Sequence, residues 1–285
     1  MKIANDWQDY QIIATGDGQK LEVWGNYTLL RPDPQIIWPA PTPLNKYDAY
    51  YERSAQGGGN WQVANQKLPT SWQINYQDYV FNLKLMGFKH TGIFPEQAVN
   101  WDYYKTKIMN AKAPTKVLNL FAYTGAASVV ALKAGASVVH VDSAKGMVEW
   151  AKANVQASNL AEAPIRYIVD DVIKFVKREI KRGNKYEVII MDPPAFGRGS
   201  QGEVWSIEKD LFELVSLCTE LLSEKAYLFN ISSYATGISK TSIENILKQT
   251  VNQKCQGQIS SDELGLPIKG SDLILPCGLY ARWER

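Results

Sequence analysis

The chain has 285 residues, enough for one large domain with a substantial core and a smaller domain beside it. Apolar residues make up 45% and charged residues 21%, the composition of an ordinary globular protein, and no apolar run reaches the ~20 residues that span a bilayer. The net charge is only +2, so no field of the whole molecule marks it as a nucleic-acid binder.

The three cysteines indicate a reducing compartment rather than a disulfide framework. Their number is odd, their spacings match no zinc motif, and there are only two histidines. The N-terminus has no apolar stretch after Lys2, so we expect no secretory signal. Together these features predict a cytoplasmic protein without a metal site.

Residues 1–110 predict a small region rich in β-strands. Short segments of alternating polarity are separated by Gly, Pro and Asn. We expect residues 1–70 to form a small β-rich N-terminal region and residues 71–110 an α+β segment that leads into the next domain. Aromatic side chains can stack on bases, but in a small β region they more often form the core, which we favour here. These residues are Trp38, Tyr47, Tyr50, Tyr51, Trp61, Trp72, Tyr76 and Tyr79.

From Thr115 onwards, buried strands alternate regularly with helices. Strands are predicted at residues 116–120, 137–141, 165–169, 188–191 and 226–231, and helices at residues 126–134, 144–158, 172–182, 207–222 and 240–252. Two weaker strands, 256–260 and 279–283, indicate a hairpin that closes one edge of the sheet. This alternation predicts that residues 111–285 form an α/β domain with a doubly wound, mostly parallel seven-stranded sheet.

Several predicted strands end in residues suited to a nucleotide, and doubly wound sheets bind ligands beyond their strand ends. The first strand runs into residues 119–125 (Asn-Leu-Phe-Ala-Tyr-Thr-Gly), where one glycine lets a ligand approach the backbone. Asp142 ends the second strand, where a carboxylate can accept hydrogen bonds from both hydroxyls of a ribose. Asp170 and Asp171 follow the third strand and can accept from an adenine amine. The plain alternatives are a turn at Gly125 and helix caps at the aspartates.

The fourth strand is followed by residues 192–196, Asp-Pro-Pro-Ala-Phe. Two prolines stop the strand ladder and remove N–H donors, so the turn offers acceptors: the Asp192 carboxylate and the carbonyls of Asp192 and Pro193. Phe196 is close enough in sequence to lay a flat apolar face beside them. Such a turn suits a planar group with N–H donors, such as a nucleobase amine. The alternative is a stiff strand end in which Asp192 caps the next element.

Adenosine without a phosphate suits the first turn better than a dinucleotide does. A pyrophosphate-binding turn has three glycines in the pattern G-x-G-x-x-G, whereas Gly125 stands alone beyond Phe121 and Tyr123. A nicotinamide dehydrogenase also needs a proton donor, and His140 lies within a predicted strand. The sequence therefore points to S-adenosylmethionine as the cofactor.

Together these motifs resemble the class I S-adenosylmethionine-dependent methyltransferases, whose fold is Rossmann-like. Over residues 85–285 the chain is most similar to the branch of large-subunit ribosomal RNA methyltransferases that act on cytosine C5 or guanine N7. Residues 88–97 resemble the segment that folds over the cofactor in that branch, which implies that residues 71–110 cover the cofactor site.

The resemblance also implies cofactor-binding roles for particular residues. Residues 119–125 would line the methionine and sulfonium end, Asp142 would hold the ribose, and Asp171 would meet the adenine. The implied cofactor residues are Phe94, Gln97, Asn119, Phe121, Tyr123, Thr124, Gly125, Asp142, Ser143 and Asp171.

The resemblance breaks at two places. The RNA-binding domain that often opens the cytosine methyltransferases is not recognisable in residues 1–70, and the cysteine expected after the fifth strand is absent from residues 230–234, Asn-Ile-Ser-Ser-Tyr. Methylation at C5 requires a thiolate that adds at C6, because C5 is not nucleophilic before that addition. Cys277 is the only candidate near a strand start, since Cys218 lies in an apolar helix pattern. We therefore expect a nitrogen, rather than a ring carbon, to be methylated.

Methyl transfer from a sulfonium needs no metal, so the protein has to supply alignment and electrostatics. We predict a catalytic set in which Asp192 and the Pro193 carbonyl accept hydrogen bonds from a target amine while Phe196 stacks on the ring. The favoured substrate is a base in ribosomal or other structured RNA. The alternatives are a protein or small aromatic substrate, or a non-catalytic adenosine-binding module. A run of six cations within residues 174–185 would suit RNA, although such a run is more often a solvated helix face.

Overall fold

The computed structural model describes residues 1–54, 58–199 and 202–285. These residues form two compact units. The smaller unit contains residues 2–99 and 264–277, and the larger unit contains Met1 with residues 100–263 and 278–285. None of the helices in the described ranges combines the length and the hydropathy that a bilayer crossing requires.

The smaller unit consists mainly of short strands. In chain order they are β1 (Lys2–Ile3), β2 (Tyr10–Gly16), β3 (Gln19–Trp24), β4 (Tyr27–Pro32), β5 (Ala49–Arg53), β6 (Gly59–Val63), β7 (Trp72–Tyr76) and β8 (Tyr79–Leu83), followed by a 3-10 turn at Pro95–Gln97. Strands β2 to β6 form a five-stranded sheet that is antiparallel except between β4 and β5, and β7 pairs with β8. Alternation explains these strands: β8 buries Tyr79, Phe81 and Leu83 on one face.

The aromatic residues of the smaller unit are packing groups, as favoured from the sequence. Of the eight residues considered for base stacking, three are buried and five are half-buried. The half-buried indoles also serve as donors, as when Trp72 Nε1 donates to the Trp24 carbonyl at 3.1 Å. These eight residues therefore do not form a row of exposed rings for stacking on bases.

Side chains of the smaller unit hold residues 86–95 by their backbone carbonyls. This segment has little regular structure before the 3-10 turn, so its carbonyls need partners from elsewhere. The donors are Trp7 to Pro95 at 2.9 Å, Arg31 to Lys89 at 3.1 Å, Tyr51 to Gly87 at 3.3 Å, and Trp61 to Met86 at 2.8 Å and to Phe88 at 3.3 Å. The path of residues 86–95 is therefore set by contacts from positions far away in sequence.

A buried ion pair lies in the five-stranded sheet. Arg31 donates through Nε and Nη2 to the two carboxylate oxygens of Glu22 at 2.6 and 2.7 Å, and Tyr10 donates to Glu22 at 2.7 Å. Burial by itself raises the pKa of Glu22, but the charges of Arg31 and Lys20 outweigh it, and the pKa of Glu22 is lowered. Glu22 and Arg31 are therefore both charged at neutral pH and satisfy each other.

The larger unit contains the predicted α/β alternation. Its elements in chain order are α1 (Ala98–Met109), β9 (Lys116–Leu120), α2 (Ala126–Lys133), β10 (Ser137–Asp142), α3 (Lys145–Ala157), β11 (Ile165–Val169), α4 (Val172–Lys181), β12 (Val188–Met191), β13 (Phe196–Arg198), β14 (Val204–Ser206), α5 (Ile207–Thr219), β15 (Leu228–Ser233), α6 (Lys240–Gln249), α7 (Val251–Lys254), β16 (Gln258–Pro267) and β17 (Ile274–Glu284). The boundary between the two units crosses three of these elements, α1, β16 and β17, so each of the three has residues in both units.

Seven of these strands form one sheet in the order β16-β17-β15-β12-β9-β10-β11, and the two-residue β1 extends it beside β16. Strands β15, β12, β9, β10 and β11 are parallel, and β17 runs antiparallel to β15. The predicted doubly wound, mostly parallel sheet with an edge hairpin is thus confirmed. The strand order switches direction between β9 and β12, the kind of position where such sheets bind ligands.

The core of the larger unit packs helices against buried strands. Every residue of β12 is buried, as expected for a central parallel strand covered on both faces. Helix α4 shows how the helical side is encoded, because Val172, Phe175 and Val176 repeat at the spacing of one helix face and are all buried. The position of each strand end is therefore fixed by apolar packing behind it.

The basic run on and after α4 is largely neutralised by acidic neighbours. Its ion pairs are Lys174 with Glu203, Lys177 with Glu213, Arg178 with Asp170 and Arg182 with Glu179. Lys185 donates to the Glu220 carbonyl at 2.6 Å. The run therefore matches the solvated helix face that was the commoner expectation.

Candidate functional site

The carboxyl ends of β12, β9, β10 and β11 are joined by backbone hydrogen bonds between the residues that follow or end each strand. The Asp192 N–H donates to the Leu120 carbonyl at 3.4 Å, and the Ala122 N–H donates to the Val141 carbonyl at 3.0 Å. The Asp170 N–H donates to the Asp142 carbonyl at 3.1 Å. The four strand-end features predicted from the sequence therefore lie along one continuous edge, which contains the switch point of the sheet.

The loop after β9 has an unusual backbone conformation. Phe121 and Tyr123 have φ angles of 52° and 50°, and Gly125 has a φ of 83°. A left-handed conformation costs a non-glycine residue roughly 1–2 kcal/mol, so the surrounding structure must hold this loop in place. Asn154 does so in part, donating to the Thr124 carbonyl at 2.8 Å.

Gly125 is required by close packing as well as by its backbone conformation. A Cβ at this position would lie 2.7 Å from the Cβ of Ala151 on α3. Only a glycine lets the loop and α3 approach this closely. The loop therefore lies close to α3 at the start of α2, and main-chain N–H groups at a helix start suit the approach of a ligand.

Asp142 is fixed by two backbone donors. Its Oδ2 accepts the Tyr123 N–H at 2.8 Å, and its Oδ1 accepts the Ala144 N–H at 2.9 Å. Burial raises the pKa of Asp142, and these two hydrogen bonds offset part of the rise. A carboxylate has about four lone-pair positions, so two remain for further donors. The residue is therefore oriented and still able to accept two hydroxyl groups, which fits a ribose; half-buried Ser143 follows it.

Asp171 is the N-cap of α4, the plain alternative considered for it. Its Oδ1 accepts the Lys174 N–H at 2.9 Å. The neighbouring Asp170 is ion-paired with Arg178. Because the carboxylate of Asp171 has a second oxygen, capping leaves it able to accept one more donor. Capping and ligand binding are compatible at this residue.

A buried polar chain lies beneath the loop. Asn119 Nδ2 donates to Ser128 Oγ at 2.9 Å, and Ser128 Oγ lies 3.0 Å from His140 Nδ1. Asn119 is only 3% exposed, so its amide ties β9 to α2 from below the loop. Burial lowers the pKa of His140 to about 4, which keeps its ring neutral at pH 7.

The residues after β12 separate into buried and exposed positions. Pro193 is buried, whereas Phe196 at the start of β13 is 57% exposed. Trp205 on β14 is 8% exposed, and its Nε1 donates to the Pro194 carbonyl at 2.7 Å. The ring centroid of Trp205 lies 4.9 Å from that of Phe121. The Phe196 ring thus remains available for a planar partner, while the Pro194 carbonyl is already occupied.

A second buried polar group borders the Asp192 turn. Tyr104 on α1 is hydrogen-bonded to Ser232 at the end of β15. Burial raises the pKa of Tyr104 above its usual range; the Asp192 charge adds to the rise and the Arg282 charge opposes it. Arg282 donates to Asn100 Oδ1 at 2.7 Å. The phenol of Tyr104 therefore stays protonated close to the carboxylate of the turn.

The guanidinium of Arg282 is unusually placed for a buried cation. It lies 3.6 Å from the ring centroid of Tyr103 and 4.0 Å from that of Tyr280. Burial lowers the pKa of Arg282, while Tyr104 and Tyr280 oppose the change. Aromatic faces stabilise a desolvated cation, so this charge is held by rings as much as by hydrogen bonds.

Phe94 and Gln97 belong to the smaller unit. Gln97 is buried in the 3-10 turn, and the Phe94 ring makes an edge contact with His90 at 5.2 Å between centroids. Neither residue shares a unit with the strand-end edge, and their roles toward a cofactor stay predictions.

Two of the three cysteines are poor sources of a thiolate. Burial raises the pKa of Cys218 in α5 above its usual range. Burial also raises the pKa of Cys277, and the charge of Glu96 adds to the rise. Cys277 lies within β17 rather than before a strand, and its Sγ is 3.4 Å from the Leu275 carbonyl. The thiols of Cys218 and Cys277 thus give no support to methylation at cytosine C5. Within the described ranges, no group of three or more His, Cys, Asp or Glu side chains is placed to hold a metal ion.

Sequence reasoning missed Trp205 and Tyr104. Residues 196–206 contain a signal that could have revealed the first, because short alternating segments at either end of a glycine-rich stretch are typical of a hairpin. No comparable signal marks Tyr104, since α1 carries mixed polar and aromatic residues without a clear apolar face.

Comparisons with known proteins place the chain in a family. The family model for S-adenosylmethionine-dependent methyltransferases matches residues 50–250. The chain therefore belongs to the S-adenosylmethionine-dependent methyltransferases.

Solved structures agree with this assignment. A crystal structure of an S-adenosylmethionine-dependent methyltransferase from Agrobacterium tumefaciens is 37% identical, with a TM-score of 0.91 over 98% of this chain and 91% of that chain. A putative S-adenosylmethionine-dependent methyltransferase from Streptococcus mutans, at 22% identity, has a TM-score of 0.69 over 98% of this chain and 76% of that chain. The second likeness is one of fold.

Curated relatives match over shorter segments. The ribosomal RNA large subunit methyltransferase K/L of Shewanella frigidimarina is 36% identical over 149 residues, which are 52% of this chain and 20% of that protein. The ribosomal RNA large subunit methyltransferase I of Escherichia coli is 34% identical over 92 residues, which are 32% of this chain and 23% of that protein. The matched segment is less than a quarter of either relative.

Proposed function

We propose that this protein transfers a methyl group from S-adenosylmethionine to a base nitrogen in ribosomal or other structured RNA, and that it works in the cytoplasm. The observation that carries the proposal is the continuous edge on which the oriented Asp142, the strained loop after β9 and the Asp192 turn follow one another. Cofactor-type residues and an acceptor-rich turn thus occur on adjacent strand ends, as methyl transfer between two bound groups requires.

On the cofactor side, S-adenosylmethionine supplies, when bound, an electrophilic methyl group on a sulfonium. Asp142 accepts the two ribose hydroxyls with the lone pairs that its backbone donors leave open. Asp171 accepts the adenine amine with its second oxygen. The remaining residues that we propose for cofactor binding are Phe94, Gln97, Asn119, Phe121, Tyr123, Thr124, Gly125 and Ser143.

On the acceptor side, the Asp192 carboxylate and the Pro193 carbonyl accept hydrogen bonds from the target amine, and Phe196 stacks on its ring. Trp205 occupies the Pro194 carbonyl, so that atom is not counted as an acceptor. Unpairing and unstacking a base from a duplex costs a few kcal/mol. Stacking of that base on an exposed ring such as Phe196 can offset part of this cost. Nitrogen is favoured because residues 230–234, Asn-Ile-Ser-Ser-Tyr, contain no cysteine where C5 chemistry would need one.

The choice of RNA rests on the relatives rather than on the charge of this chain. Ribosomal RNA large subunit methyltransferases are among the curated proteins that match segments of this chain. The basic run on α4 adds nothing to this, since four of its cations are ion-paired with acidic side chains. The experiment must therefore distinguish an RNA substrate from a protein or a small aromatic substrate.

The experiment has two stages. Isothermal titration should show binding of S-adenosylmethionine and none of NAD; tight NAD binding would remove the cofactor assignment. Tritiated S-adenosylmethionine is then incubated with the purified protein and either total RNA or total protein from a strain lacking the gene. We expect acid-insoluble label in the RNA, destroyed by ribonuclease. Label confined to protein would show that the substrate is a protein and not RNA.

A further inference from the structure

We infer that Trp205 is a positioning residue that joins the cofactor loop to the acceptor turn, an inference that rests on the proposed function. Trp205 touches both sides of the edge described above. Its indole N–H donates to the Pro194 carbonyl at 2.7 Å, and its ring centroid is 4.9 Å from that of Phe121. A single side chain thus connects the loop after β9 with the turn after β12.

The hairpin β13–β14 places Trp205 for this role. Gly197 pairs with Trp205, and Phe196 pairs with Ser206, so alternation puts Phe196 and Trp205 on opposite faces. The exposures agree, with 57% for Phe196 and 8% for Trp205. The exposed face of the hairpin therefore carries the Phe196 ring for stacking, and the buried face carries Trp205, which contacts Pro194 and Phe121.

Both contacts meet a need of the residue they reach. A turn with two consecutive prolines lacks two N–H donors, so its conformation depends on donors from elsewhere, and the Trp205 N–H is one of them. Phe121 has a left-handed φ of 52°, which persists only when neighbouring groups hold it. The Trp205 ring packs against that side chain at an interplanar angle of 56°. Trp205 thereby stabilises the irregular backbone on both sides at once.

Such a connection fixes the distance between the methyl donor and the acceptor nitrogen. A misplacement of about 1 Å can lower the rate of transfer roughly a hundredfold without abolishing binding of either partner. Loss of the N–H alone should slow methyl transfer about tenfold, the equivalent of one hydrogen bond, while cofactor affinity stays within about twofold. Loss of the ring should affect both quantities, because Phe121 belongs to the cofactor loop.

The test compares Trp205→Phe and Trp205→Ala with the control Trp283→Phe. Trp283 lies in β17 of the same unit, and among the described residues its Nε1 has no hydrogen-bond partner, so the control makes the same chemical change without breaking a bond. Melting temperatures check that all variants are folded. Three quantities are measured: hydrogen exchange of amides in residues 195–198 and 204–207, S-adenosylhomocysteine affinity by titration, and single-turnover methyl transfer to total RNA from the gene-deletion strain.

We expect Trp205→Phe to speed hydrogen exchange in residues 195–198 of the free protein and to slow methyl transfer about tenfold, with S-adenosylhomocysteine affinity retained. Trp205→Ala should lose S-adenosylhomocysteine affinity as well. The inference is overturned if Trp205→Phe matches Trp283→Phe in hydrogen exchange. If the wild type labels no RNA, the proposed substrate is wrong, whereas hydrogen exchange and S-adenosylhomocysteine affinity still decide the role of Trp205.

Discussion

Asp192 is tied to its surroundings in three ways. It directly follows the central strand β12, its N–H donates to the Leu120 carbonyl at the end of β9, and its charge adds to the rise that burial causes in the pKa of Tyr104. The next two residues are prolines and contribute no N–H to the turn. The N–H of Asp192 thus ties the turn to the neighbouring strand β9 at the switch point of the sheet.

Replacing this carboxylate separates cofactor binding from turnover. Asp192→Ala should lower methyl transfer by about a hundredfold, because an aligned acceptor for the target amine is lost. Titration should give unchanged S-adenosylmethionine affinity, since the ribose site at Asp142 is held by other bonds. Asp192→Asn is the matched variant: it keeps the shape and one acceptor oxygen, and should retain more activity. Full turnover in Asp192→Ala would refute the acceptor role.

Gly125 gives a second prediction at the level of one residue. Gly125→Ala adds a Cβ 2.7 Å from Ala151 Cβ at a left-handed φ of 83°, so the loop must move. Gly135→Ala is the control, because Gly135 has a φ of 94° with nothing within 4 Å of the added atom. Gly135→Ala should lose roughly 1–2 kcal/mol of stability in urea unfolding, and Gly125→Ala should lose more because the clash with Ala151 adds to the backbone cost. Only Gly125→Ala should also weaken S-adenosylhomocysteine affinity; equal affinities would show that the close packing is irrelevant to the site.

At the level of elements, the parallel strands were the most predictable part of the fold. Strands β9, β11 and β12 begin and end at the expected residues, because each is a short apolar or β-branched run between turn residues. The hairpin β13–β14 has three residues in each strand, too few for a periodic pattern, and its Trp205 side chain bonds to Pro194, eleven residues earlier. Helix α1 buries residues in a mixed pattern that only the tertiary structure explains.

The same contrast holds for the site. The carboxylates and the single glycine were predictable, since turn and cap residues act locally at strand ends. The supporting residues were not: Asn154, Trp205 and Tyr104 reach the edge from α3, β14 and α1, which sequence separation conceals. Asn119 was expected against the cofactor; its amide donates to Ser128, and its role toward a cofactor stays a prediction.

The five-stranded sheet of the smaller unit should show a pH-dependent stability. The pKa of Glu22 is lowered in the folded state, so its charged form stabilises the fold above the ordinary carboxyl pKa, and this stabilisation disappears as the pH falls through the folded value. Glu22→Gln leaves Arg31 buried without its partner and should cost about 3–5 kcal/mol at pH 7. Urea unfolding from pH 7 down to pH 3 should show the gap between variant and wild type shrinking. A constant gap would mean that the ion pair is not the cause.

For the whole molecule, charge is a weak guide to the substrate. The net charge is +2, and the most basic stretch of the chain is neutralised locally. An RNA substrate would consequently be recognised through the acceptor turn and the exposed Phe196 ring more than through a broad cationic surface. The fold and the family establish the class of enzyme.

The most direct measurement is a comparison of modified nucleosides in ribosomal RNA. RNA is prepared from wild-type cells, a strain lacking the gene, and that strain complemented with the wild type or with Asp192→Ala, and its nucleosides are quantified by mass spectrometry. We expect that one base-methylated nucleoside with the methyl group on nitrogen disappears in the deletion strain, returns with the wild-type gene and stays absent with Asp192→Ala. Loss of 5-methylcytidine, or identical nucleosides in all four samples, would contradict it.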